Sequence, residues 1–107
     1  VIAQAVFTAF RPQPKEICRE IRLFEVSSAT DYGLNTQDCL FVPNLFIGID
    51  HISWESKLKA LNSYKSEIRE YPHSRSLESI KNLAKLRGNQ VGIEMAEAFQ
   101  VIRKIEP

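Results

Sequence analysis

The sequence predicts an α/β fold, and three observations point there. Short runs rich in strand formers, residues 21–26 and 45–49, alternate with longer stretches whose apolar residues recur at helical spacing. The chain has 107 residues, which fits one small domain. Hydrophobic residues make up 44% and charged residues 25%, the balance of an ordinary globular chain.

The first element is a helix over residues 1–10. Ile2, Val6 and Phe10, joined by Ala3 and Ala9, are spaced like a buried helical face. Arg11-Pro12-Gln13-Pro14 ends it, because proline has no amide hydrogen and disfavours helix at the residue before it. A hydrophobic helix already under way at Val1 leads us to expect a fragment of a longer protein. Residues 21–26 alternate in part and read as a strand. A polar loop, residues 27–33, leaves its C-terminal end, and residues 34–44 are irregular. Residues 45–49 are apolar on both faces, as in a strand covered on both sides.

Asp50 is a turn or capping residue, and Ser53 is the candidate N-cap of the next helix, with Glu55 in its first turn. Trp54, Leu58, Leu61 and Ile68 form its buried stripe, with Tyr64 at the edge, and Glu70-Tyr71-Pro72 stops it. Ser76 caps a further helix in which Leu77, Ile80, Leu83 and Ala84 face inward. The pattern carries this helix to about Ala98, leaving residues 99–105 as a short terminal strand or extended tail. Two or three strands make a thin sheet with exposed edges, which again suggests a piece of a larger one.

Gly88, Gly92 and Ala96 recur every four residues and would form one narrow stripe on that helix. Each glycine costs a helix about 1 kcal/mol relative to alanine. The stripe predicts close approach of another backbone, with admission of a ligand as the alternative. Arg87 has Glu94 and Glu97 as candidate partners, either on the surface or with one pair buried.

The formal net charge of +1, with signs mixed along the chain, gives no footprint for nucleic acid or an anionic membrane. No apolar run approaches the roughly 20 residues of a membrane span. Cys18 and Cys39 allow one disulfide but imply no disulfide framework, and a reducing, cytoplasmic setting is the default. Those two cysteines with His51 and His73 lack the close pairing of structural zinc ligands.

Several segments together carry a family resemblance. Residues 75–80, then Leu83-Ala84, Arg87-Gly88, Gly92 and Ala96-Glu97-Ala98-Phe99 resemble the C-terminal signature of the LmbE/PIG-L family of zinc-dependent N-deacetylases. Upstream, residues 41–50 (FVPNLFIGID) resemble that family's "FVPNLFVDI" strand, and Leu58-Lys59-Ala60-Leu61 with Tyr64-Lys65-Ser66 is similar to its "KLEAL..YKSQ" helix. Residues 24–33 (FEVSSATDYG) are similar to "FEVPSSTEWG", and residues 5–12 (AVFTAFRP) to "AVLTAFRP". The likeness covers nearly all of the chain, in order. It implies the C-terminal half of a Rossmann-like, three-layer domain, a single partial domain of few strands and about three helices. The family's "AHPDDE" and "PDH" motifs, which supply its zinc ligands and general base, are not in this sequence.

The resemblance implies a zinc ion in the full domain but none held by this stretch, and an N-acetylated amino-sugar conjugate as substrate class. A Rossmann-like sheet places its site at the C-terminal ends of its strands. Two segments would reach that rim. One carries Glu25, Ser28, Thr30 and Asp31. The other is residues 71–76, which resembles the family's "HPRS" segment with Ser74 in place of the usual proline. There His73 is the auxiliary acid or hydrogen-bond donor to an oxyanion, Arg75 would hold a phosphate or carboxylate, and Ser76 joins the substrate-binding candidates. The bland alternatives are a surface histidine and an arginine at a helix start. His51 reads as surface, and Trp54 as core packing rather than a sugar platform. Two functions follow: an enzyme piece inactive by itself, or a non-catalytic module that associates with itself or binds another protein.

Overall fold

The computed structural model describes residues 2–15, 17–26, 41–64, 68–73 and 76–107. Among them the chain forms a small mixed α/β unit of three helices and three strands. In chain order these are α1 (Ile2–Ala9), β1 (Glu20–Phe24), β2 (Leu45–Gly48), α2 (His51–Asn62), α3 (Leu77–Asn89) and β3 (Ala96–Lys104).

The sheet has the order β1-β3-β2, and β3 runs antiparallel to both neighbours. Phe24, Phe99 and Leu45 stand directly opposite one another and so share a face. Ile21 pairs with Arg103 but Arg22 pairs with Val101, so β3 carries one extra residue, Ile102, against β1. Beyond β1, the Ile105 amide donates to Arg19 O at 2.7 Å. Before β2, Asn44 replaces part of a ladder with its side chain. Its Oδ1 accepts from Val101 N at 2.7 Å, while its own amide donates to Phe99 O at 2.9 Å.

Residues 45–48 form a strand as expected, but not one covered on both sides. It lies at the edge of the described sheet, with Leu45 and Phe46 half-buried and Ile47 exposed. Helix α2 starts one residue after Asp50, not at Ser53. Asp50 is extended, and its Oδ1 accepts from Ser53 N at 2.7 Å. Those hydrogen bonds to the charged form hold the Asp50 carboxyl below the usual carboxylate range. The helix ends at Asn62, so Ile68 lies outside it.

Ser76 caps α3 as the sequence indicates: its Oγ accepts from Ser79 N at 3.0 Å. The predicted continuation to Ala98 does not occur. After Asn89 the chain reverses, and the Gly88 carbonyl accepts from both Val91 N (3.1 Å) and Ile93 N (2.9 Å). Gly92 takes φ +78, a left-handed conformation that costs side-chain-bearing residues. The small-residue stripe is therefore divided among a helix, a turn and a strand. Its architectural expectation survives at one position. A Cβ on Gly88 would sit 2.7 Å from Met95 N and Cα, so a backbone does pass against it, namely that of the returning chain.

Trp54, Ala84 and Met95 make the core cluster, with Ile49, Leu58 and Ile80 packed around it. Trp54 is only 5% exposed and is core, as expected. Helix α1 connects to the sheet differently. Arg103 Nη2 donates 2.7 Å to the carbonyl of Phe10, at the helix's C-terminal end where a cation is favoured.

Candidate functional site

At the C-terminal ends of β1 and β2, where β3 begins, the sheet and α3 enclose a cavity of about 240 Å³. Its floor is apolar, built from Ile80 and Leu83 of α3 and from Ala96 and Ala98 of β3. The two alanines make room because they present only methyl groups from a strand that packs against α3. Phe24 and Phe99 also line it.

Two ion pairs line it. Both oxygens of Glu25 accept from Arg87, Oε2 from Nε at 3.3 Å and Oε1 from Nη2. The Glu25 and Arg87 side chains are 10% and 16% exposed, so this fork is largely shielded from water. Arg87 Nη1 donates to Gln90 Oε1 at 3.1 Å, and the guanidinium carbon lies 5.9 Å from the Phe41 ring centroid. The second pair is Lys57 Nζ to Glu97 Oε1 at 2.9 Å, with side chains 32% and 44% exposed.

The expected partners of Arg87 were Glu94 and Glu97. Neither is used: Glu97 pairs with Lys57, and Glu94 Oε2 lies 3.9 Å from His51 Nε2 on the surface. The reason is the reversal after Asn89, which carries both glutamates off the helix. His51 is exposed, in keeping with the surface role given to it.

Of the residues singled out from sequence, Glu25 lines the cavity and His73 and Ser76 do not. His73 is half-buried in the turn before α3; its amide donates to Glu70 O at 3.0 Å and its carbonyl accepts from Ser76 N at 2.9 Å. Ser76 is buried, and its Oγ bonds Ser79 as the helix cap, with Ser79 Oγ also at 2.9 Å. Ser28, Thr30, Asp31 and Arg75 lie outside the described residues.

Sequence reasoning missed Lys57 and Glu97 as a pair, and missed Arg87 as the partner of Glu25. The last two are 62 positions apart, which no local pattern reveals. Glu97 did carry a signal. In Ala96-Glu97-Ala98-Phe99, small residues alternate with larger ones, the period of a strand.

Among the described residues, no three His, Cys, Asp or Glu side chains come together as a metal ion would require. No helix among them is long and apolar enough to cross a membrane. No family model, curated protein or solved structure matches the chain.

Proposed function

We propose that this chain is the C-terminal half of a cytoplasmic, zinc-dependent N-deacetylase domain of the LmbE/PIG-L type, a Rossmann-like hydrolase. Its substrate would be an N-acetylglucosamine-containing conjugate. What carries the proposal is the run of family-like segments, in order, over nearly all of the sequence.

The zinc ligands and the general base belong to motifs outside this sequence, and no catalytic step is assigned to the described residues. Glu25, just beyond β1, is held by Arg87. Ser76 starts α3 directly after Arg75 and close to His73, the proposed oxyanion donor.

The test is intact mass, zinc content and acetate release for the protein purified from its natural source. We expect about one zinc per chain, a mass above 12.3 kDa, and acetate release from an N-acetylglucosaminyl conjugate. The 107-residue chain alone should release none. A native protein without zinc or activity would overturn the proposal, as would zinc-dependent activity in the isolated chain.

A specific observation favours the second reading, a self-associating module. Phe24, Ile47 and Ile52 are 69%, 43% and 80% exposed, apolar surface that a second copy could cover. In that case the native, zinc-free protein would show a concentration-dependent mass twice that of one chain by light scattering.

A further inference from the structure

We propose that the cavity beside α3 binds a free apolar α-amino acid. Its ammonium and carboxylate would lie head-to-tail on the Lys57–Glu97 pair, and its side chain would enter the apolar floor. This inference does not rest on the deacetylase proposal.

Three properties of the cavity carry it. The first is unspent hydrogen-bonding capacity. Glu25 and Arg87 are engaged with one another through both carboxylate oxygens and the facing guanidinium edge. Lys57 and Glu97 share a single hydrogen bond. An ammonium has three donors and a carboxylate two oxygens, so Lys57 keeps two donors and Glu97 keeps Oε2 beyond their shared hydrogen bond, with the Lys57 ammonium also 5.9 Å from the Trp54 ring centroid. Both side chains are partly exposed and reachable.

The second property is charge. Glu25, Glu97, Lys57 and Arg87 sum to zero, so the wall favours a ligand that is itself neutral overall. A lone anion or cation would enter uncompensated. Lys57 Nζ and Glu97 Oε1 are 2.9 Å apart. An α-amino acid carries its ammonium and a carboxylate oxygen about one hydrogen-bond length apart. Laid antiparallel, the two dipoles match donor to acceptor at both ends.

The third is the floor. Ile80, Leu83, Ala96 and Ala98 offer no hydrogen bond from their side chains, which suits a leucine- or phenylalanine-like side chain. It penalises a sugar, whose buried hydroxyls would go unpaired. The volume of about 240 Å³ lies below the usual drug-sized pocket, which restricts the occupant to a small molecule.

Isothermal titration of the full chain with L-leucine and L-phenylalanine tests the assignment. We expect saturable binding of at least one. 4-Methylpentanoate and isoamylamine, each lacking one of leucine's charges, should bind about tenfold more weakly or worse. Lys57→Met and Glu97→Gln should each weaken binding by about the same factor, while Lys85→Met, on the exposed side of α3, should leave it unchanged. The analogue series uses the unaltered chain, so it does not depend on how the variants fold. Absence of binding by both amino acids at millimolar concentration would overturn the proposal. So would analogues as tight as leucine, or N-acetylglucosamine binding that Lys57→Met abolishes.

Discussion

Residues 76–107 and residues 2–15 differ in what holds them in place. In the first segment, the end of α3 and the chain entering β3 meet backbone to backbone. Gly88 receives the Met95 backbone, and Ala84, Met95, Ala96 and Ala98 are buried. In the second, none of the described side chains is buried, and one contact to the sheet is a hydrogen bond from Arg103 to the carbonyl of Phe10. Cohesion here tracks how closely main chains approach, more than how apolar the segment is. Helix α1 is the more hydrophobic of the two helices by sequence, yet α3 is the one that is anchored.

Breaking the fork between β1 and α3 should have the largest effect. Arg87→Met leaves the Glu25 carboxylate shielded and unpaired, and should lower stability by about 3 kcal/mol in urea unfolding. An unchanged midpoint would mean that the pair holds nothing together. Gly88→Ala tests the close approach itself. Alanine gains about 1 kcal/mol of helix propensity, but its methyl group collides with backbone that cannot rotate away. A net loss of about 2 kcal/mol is expected, and a stabilised variant would refute the account.

Gly92→Ala isolates conformation from crowding, since nothing lies within 4 Å of the added methyl and only the positive φ opposes it. The cost should be about 1 kcal/mol, measured the same way. The N-terminal segment should answer to a gentler change. Arg103→Met should speed hydrogen exchange of the α1 amides while leaving those of α3 and β3 at their original rates. Equal acceleration in both segments would erase the contrast drawn above.

The smallest effect is expected at Asp50, and it depends on pH. Its folded-state pKa is lowered by the Ser53 amide, so its stabilising contribution is present above the unfolded pKa and is lost as pH falls through the folded one. The difference in urea midpoint between the wild-type chain and Asp50→Asn should therefore be flat near neutrality and shrink in acid, below about pH 4. A difference that grows in acid would contradict the capping geometry.

Much of the fold was legible where local rules decide it. The strands expected at 21–26 and 45–49, found at Glu20–Phe24 and Leu45–Gly48, the Ser76 cap, the inward stripe of α3 and the buried Trp54 all follow from spacing and capping chemistry. The passage from α3 to β3 was not. Gly88, Gly92 and Ala96 fall at a four-residue interval that imitates a helical face, and the turn that separates them is set by contacts with Met95 and Ile93. Misplacing that turn also misplaced Glu94 and Glu97, and so hid the second ion pair. Glu25 was singled out, but its engagement by Arg87 depends on a tertiary contact that neither segment signals.

The order β1-β3-β2 has a consequence for how this chain is made. Each outer strand finds its ladder partner in β3, which follows both in the sequence. Synthesis proceeds from the N-terminus at about 5–20 residues per second. The ribosome must therefore pass Lys104 before either ladder can close along its full length. Until then, Glu20–Phe24 and Leu45–Gly48 leave the tunnel without these partners, open to whatever chaperone reaches them first.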